Sequence, residues 1–398
     1  MRSIDQSEDR LVALGAGCAA IPERLLLAHA QGRVLFIVGA GASKAAGLPD
    51  FRKLALLTYA DRDASAHEVL NTVPPDASNK HVADCSTLTA GQSAEVQRYI
   101  QGDYDVTLGM LERRLDGLSG SASSVRQTVA KVIRDGATQP APIHRSLAKL
   151  ADRGGATTII TTNFDLLLEA ACRRKNPRVQ TYSLGAIPRP SRRPDFAGIF
   201  HIHGALEKDP KRFSDLVLSD HDFGEFYMRR RSIPDFIYDA ARLFNIVLVG
   251  YSANDPPMRY LLNAVAADGS RFDDLKTRYS FVGGAYPADP RIMEDWKARG
   301  IIPIPYDEAD GHSMLGRTLA RWASLSAHNG KRELIDKEIR RIVRKSRTDA
   351  TDSDRDLFDH LVRRADASER VRLAQVSSKA KAGMDWLTAF VEISGEGQ

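Results

Sequence analysis

Val34-Leu35-Phe36-Ile37-Val38 runs directly into Gly39-Ala40-Gly41-Ala42-Ser43-Lys44-Ala45-Ala46-Gly47-Leu48-Pro49-Asp50-Phe51-Arg52, and this stretch decides the fold class. The apolar run reads as a strand buried on both faces. Closely spaced glycines at its end bring bare backbone N–H groups to a point where a pyrophosphate can sit. Two common phosphate loops are excluded by spacing. A dinucleotide fingerprint needs Gly or Ala at its third position, where this chain has Lys44. A Walker loop needs Gly-Lys-Ser/Thr, whereas here Ser43 precedes Lys44 and the next glycine is Gly47.

Working outward, similar short apolar runs recur at 157–161, 198–203, 246–250, 279–282 and 301–304. They alternate with helical patterns at 21–30, 106–118, 141–153, 163–173, 234–244 and 256–267. Alternation of this kind predicts an α/β fold, a doubly wound Rossmann-like parallel sheet. The stretch 57–105 has a weak period and the pair Pro74-Pro75, which suggests a helical insertion or lid after the loop. A C-terminal helical extension is expected over 326–398, leaving 1–325 as the catalytic domain. In it, Leu334, Ile335, Ile339, Ile342 and Val343 form one apolar stripe and Leu357, Phe358, Leu361 and Val362 another, with Ser353 or Asp354 placed as a cap. These stripes either pack on the body of the protein or dock copies of the chain or a partner.

The 398 residues are 43% hydrophobic and 27% charged, enough to bury a substantial core. No run approaches a membrane span, and the N-terminus is polar and acidic where a signal peptide would be basic and then apolar. A cytoplasmic protein with no membrane contact is expected. Cys18, Cys85 and Cys172 are too dispersed for a disulfide framework or a C-x-x-C metal pair, so no metal is expected. The net charge of +5 is spread among as many acids locally, which leaves nucleic acid a weak or partner-mediated ligand.

Three more motifs fall at proposed strand ends, where ligands collect in such sheets. Thr161-Thr162-Asn163-Phe164-Asp165 offers an amide that can hold a ribose or a water and a carboxylate that can accept from hydroxyls. Asn-x-Asp alone equally suits a helix cap. In Phe200-His201-Ile202-His203-Gly204, strand alternation places both histidines on one face and does not choose between them. Gly250-Tyr251-Ser252-Ala253-Asn254-Asp255-Pro256 puts a hydroxyl two residues after a strand-end glycine, though helix entry alone would explain its last three residues. His144 and His221 read as ordinary satisfied polar groups.

Together these motifs resemble the sirtuin family. The first matches the sirtuin G-A-G-x-S-x-x-x-G-x-P-D-F-R element nearly residue for residue; the second resembles T-Q-N-x-D, with Thr162 in place of Gln; His203-Gly204 resembles its His-Gly pair; and the last looks like the G-Y-S-x-N-D-P form of bacterial sirtuin-like proteins. Pro305-Tyr306-Asp307 and His312 resemble the way that bacterial group closes its domain. The resemblance implies NAD+ as substrate, with Asn163 orienting ribose and water, His203 as the base and Asp165 stabilising charge. It implies NAD+ contacts from Gly39, Ala40, Gly41, Ser43, Gly47, Asp50, Thr162, Gly250, Ser252 and Asn254, with Phe51 and Arg52 closing over the nicotinamide end. Sirtuin deacylases hold a zinc module with four cysteines, which this chain does not have, so water becomes the expected acceptor. The implied activity is NAD+ hydrolysis to nicotinamide and ADP-ribose by a gated antiphage effector, a homo-oligomer, one group of which is paired with a HerA-like ATPase. A protein deacylase or ADP-ribosyltransferase, or a non-catalytic NAD+ or ADP-ribose sensor, are the alternatives.

Overall fold

The computed structural model describes residues 9–75, 81–117, 123–136, 139–173, 179–193, 195–206, 216–251 and 275–395. Strands β1 (Leu11–Ala13) and β2 (Ala20–Pro22) form an antiparallel hairpin. Seven further strands follow: β3 (Val34–Val38), β4 (Thr158–Thr161), β5 (Thr181–Ser183), β6 (Gly198–His201), β7 (Asn245–Val249), β8 (Arg278–Gly284) and β9 (Ile302–Asp307). They make one sheet in the order β5-β6-β4-β3-β7-β8-β9, with parallel registers such as Ile37 beside Ile160 and Ile160 beside Phe200. The chain order turns back at β3, whose neighbours are β4 and β7, so a crevice opens at the carboxyl ends of these strands. The doubly wound reading of the sequence is thus realised, and β3 is buried at every position as expected.

By contact density the chain divides into two compact units. One comprises residues 36–145 and 156–278, the other 1–35, 146–155 and 279–398. The first unit holds the glycine loop and the four strand ends around it. Its stretch after the loop is largely helical: Phe51–Arg62, Ala64–Thr72, Ala90–Ile100, Tyr104–Asp116 and Ser124–Gly136. Leu54, Tyr59, Leu70, Val96, Leu108, Leu111 and Val129 form a continuous core there, joined by Phe164, Leu206 and Leu218. Helix starts in this layer are fixed by side chains: Asp50 accepts from Lys53 N at 2.9 Å and Thr89 forms a capping box with Gln92.

In the other unit, Ile335, Ile339, Ile342, Leu357, Phe358 and Leu361 are buried, and Trp386 packs on Phe358 with ring centroids 4.6 Å apart. Arg10 bonds Asp356 and Asp359 at 2.7 Å, while Arg363 bonds Glu23 at 2.7 Å. The C-terminal stripes therefore bury within their own unit. The cap of the helix Asp352–Arg363 is Thr351, accepting from Asp354 N, and not Ser353 or Asp354 as expected. The helix expected from Ile21 begins at Glu23 instead, because Ala20 to Pro22 pair as a strand. The expected helix 256–267 lies outside the described residues. Among the described residues no helix is long and apolar enough to cross a membrane, and no His/Cys/Asp/Glu group could hold a metal.

Candidate active site

At the end of β3, Gly39 caps the short helix Ala40–Lys44. The Gly39 N–H donates to Val249 O at 2.9 Å and the Gly41 N–H to Gly250 O at 2.9 Å. The sequence reading expected these N–H groups to be bare; instead they fasten the loop to the end of β7. The glycines are required for that approach. A Cβ on Gly39 would lie 2.6 Å from the Tyr251 ring, and one on Gly250 would lie 2.5 Å from Ala42 N. Gly250 also has φ of 78°, a left-handed conformation that glycine alone adopts without strain. Gly250→Ala is expected to destabilise the protein by at least about 2 kcal/mol, from the left-handed penalty plus the clash. An unchanged denaturant midpoint would contradict this role.

β4 delivers the second motif. The chain leaves β4 at Thr161, and the helix expected from Asn163 starts only at Leu167, because the Asp165 carboxylate accepts from Leu167 N at 3.0 Å. Asn163 is thereby left in the loop, beside the glycine turn. Its Nδ2 donates to Gly39 O at 3.1 Å and to Ser43 Oγ at 3.0 Å. Ser43 Oγ in turn donates to Asp165 Oδ2 at 2.8 Å. His144 completes this array. Its Nδ1 accepts from Ala141 N at 3.2 Å, which leaves Nε2–H directed at Ser43 Oγ, 3.4 Å away. Burial lowers the His144 pKa against the opposing charge of Asp165.

The two histidines that strand alternation left equivalent have opposite environments. β6 ends at His201, and His203 follows in a turn completed by Gly204 at φ 91°. His201 Nδ1 faces Asn163 O at 2.8 Å and Nε2 faces Glu169 Oε1 at 2.8 Å. Both partners are acceptors, so both ring nitrogens carry protons and His201 is an imidazolium. Burial opposes that charge, but Glu169 outweighs it and raises the His201 pKa. The pair thus anchors the Asn163 backbone from below. Replacing Glu169 with Gln strands a buried cation and is expected to cost about 3 kcal/mol. A loss below about 1 kcal/mol in denaturant unfolding would mean a neutral His201.

His203 is 2% exposed and bonds the Tyr227 hydroxyl through Nε2 at 2.6 Å. Burial pushes its pKa down to about 3, with the Asp222 charge opposing only in part. It is therefore neutral at ordinary pH, with one ring nitrogen unprotonated. Asn163, Asp165, Ser43, Phe51 and His203 line one cleft with a cavity volume of about 80 Å³.

Residues 157–304 match the SIR2-like domain family. The chain carries a SIR2-like domain. It is also 30% identical over 371 residues to an uncharacterized protein, y4cA, of Sinorhizobium fredii (strain NBRC 101917 / NGR234). That alignment covers 87% of this chain and 28% of the relative, so the chain spans less than a third of that protein's length.

Of the fifteen site residues singled out in the sequence, seven line this cleft. Ala40, Ser43, Phe51, Thr162, Asn163, Asp165 and His203 share the cleft wall. Gly47 adopts the left-handed φ of 92° that favours glycine. Asp50 caps its helix and pairs with Lys44 at 3.1 Å. Arg52 is directed elsewhere: its guanidinium donates to Val73 O at 2.7 Å and stacks over the Tyr99 ring. Ser252 and Asn254 lie outside the described residues. Thr162 Oγ1 bonds Tyr251 OH at 2.9 Å, a partner within the motif quoted above. His144, Glu169 and Tyr227 were missed. The only signal for Glu169 was its place one helical turn after Asp165, and His144 and Tyr227 lie in segments with no motif.

Proposed function

We propose that this chain is an NAD+ hydrolase that cleaves the nicotinamide–ribose bond to give nicotinamide and ADP-ribose. The observation that carries the reading is one cleft wall holding a fixed Asn163 amide and a neutral, buried His203. The leaving nicotinamide is already cationic in NAD+, so little acid assistance is needed. The site has to hold the ribose, favour an oxocarbenium-like transition state and activate a nucleophile. Asn163 Oδ1 has no partner among the described residues and is free to orient ribose or water, since Nδ2 is committed to Gly39 O and Ser43 Oγ. His203 accepts the proton released by the attacking water. Asp165, held by Ser43, supplies negative charge near the developing cation. Gly39, Ala40, Gly41, Gly47, Asp50, Thr162 and Gly250 shape the dinucleotide-binding face, with Phe51 toward the nicotinamide.

Water is the simplest acceptor because three dispersed cysteines cannot build the four-cysteine module beside which deacylases seat an acyl-lysine. The resemblance to bacterial antiphage sirtuin-like proteins supports a gated effector that depletes NAD+, assembled as an oligomer in the cytoplasm and paired with a HerA-like ATPase. The chain incubated with NAD+, alone and with such an ATPase, is expected to release nicotinamide and ADP-ribose in equal amounts by chromatography. Consumption of an acyl-peptide with NAD+, and none without the peptide, would replace hydrolysis with deacylation.

A further inference from the structure

The cleft wall takes His203 and Phe223, while Tyr227, 5% exposed, stands behind them. Phe223 ends the short helix Asp220–Phe223, and the chain continues as a π-turn over Gly224–Arg229. Such wide turns recur at functional sites because they re-aim a side chain within a helix. Here the turn sets both rings against one imidazole. His203 meets Phe223 edge-on at 5.6 Å and Tyr227 at 5.8 Å between centroids. Tyr227 adds a polar contact, hydroxyl to Nε2 at 2.6 Å. His203 Nδ1 has no partner among the described residues, so it is the ring nitrogen left to the cleft.

We propose that Tyr227 is a positioning residue for His203: its oxygen accepts the Nε2–H, which fixes the tautomer whose Nδ1 lone pair serves the cleft. The assignment rests on the hydrolase reading: either atom of the 2.6 Å contact can donate, and a base serving the cleft at Nδ1 requires the Nε2–H tautomer. A neutral imidazole carries one proton, and a base that works at Nδ1 must keep that proton on Nε2. When water is deprotonated, its proton moves to Nδ1, and the imidazolium still donates from Nε2 to the same oxygen. No partner has to move between the two states. The choice of a phenol over a carboxylate matters, and the chain supplies its own comparison. Two residues away, Glu169 against His201 produces a fixed cation that cannot act as a base. A hydroxyl orients the ring without adding charge. Tyr227 is itself held protonated, since burial raises its pKa well above the ordinary tyrosine value.

Side-chain ¹⁵N spectra of histidine-labelled protein at neutral pH test the tautomer without any variant. His203 is expected as the Nε2–H form, and an Nδ1–H form in the wild type overturns the proposal. In Tyr227→Phe, which keeps the ring contacts and removes the oxygen, the Nδ1–H form is expected to gain population. In the same variant kcat for NAD+ is expected to fall about tenfold to a hundredfold, with KM within about threefold. An unchanged tautomer, an unchanged kcat or a higher kcat each overturns it, the last in favour of a blocking contact. Wild-type protein that shows the Nε2–H form yet never cleaves NAD+ contradicts the hydrolase reading and leaves the tautomer assignment standing.

Discussion

Asn163→Ala is expected to lower kcat for NAD+ cleavage by at least about a hundredfold, the scale of losing a preorganised polar group at a developing charge. The amide is rigidly placed. Two acceptors of the glycine turn, Gly39 O and Ser43 Oγ, hold Nδ2, and the His201 imidazolium holds the Asn163 carbonyl. That leaves Oδ1 in one orientation, so the group acts without reorganising during the reaction. Alanine also leaves Gly39 O without this donor, a cost to stability of about 1–3 kcal/mol. Thermal unfolding of the variant therefore has to accompany the kinetics. Asn163→Asp separates shape from chemistry: it is isosteric but turns an oxygen toward Gly39 O, and should lose activity to a similar degree. A folded Asn163→Ala protein that still turns over at more than about a tenth of the wild-type rate contradicts the assigned role.

His203→Ala is expected to cost about 10²- to 10⁴-fold in kcat, the range for removing a general base. The pH profile gives a sharper result. With its pKa near 3, His203 is already in the base form from about pH 5 upward. The acid limb of kcat/KM should be missing near pH 6.5, where an ordinary histidine would lose half its activity. Stability has the opposite constraint. The unfolded chain protonates this histidine below about pH 6.5 while the folded chain keeps it neutral until about pH 3, so the unfolded state binds more protons in that window and stability falls as pH drops through it. Acid inactivation should therefore coincide with unfolding, followed by circular dichroism. A kcat/KM that halves near pH 6.5 in protein that remains folded would show that His203 is not the base.

The sheet was legible because β3, β4, β6 and β7 are short, apolar and bounded by glycines or polar turns, a pattern set by burial on both faces. β5 was not. Thr181-Tyr182-Ser183 has no apolar run, and its strand state comes from pairing with Ile199 to His201. The hairpin β1–β2 was missed for a similar reason, and Ile21 was assigned to a helix although it faces Val12 across that hairpin. At the site, the residues borne on the four motifs were readable by type and spacing. Their division of labour was not. Whether Gly39 N–H meets a ligand or Val249 O depends on how closely β7 approaches, and whether His201 or His203 is charged depends on Glu169 and Tyr227. Those partners sit 32 and 24 positions away, joined to the histidines only by tertiary packing.

The central claim is that water attacks C1 of the nicotinamide ribose. Wild-type chain incubated with NAD+ in H₂¹⁸O, with products resolved by mass spectrometry, tests it most directly. The expected result is nicotinamide together with ADP-ribose carrying one heavy oxygen atom, absent from the Asn163→Ala and His203→Ala reactions. Nicotinamide release with the ADP-ribose carried on protein or on an acyl group, or tight NAD+ binding with no cleavage by the chain and its partner together, would contradict it.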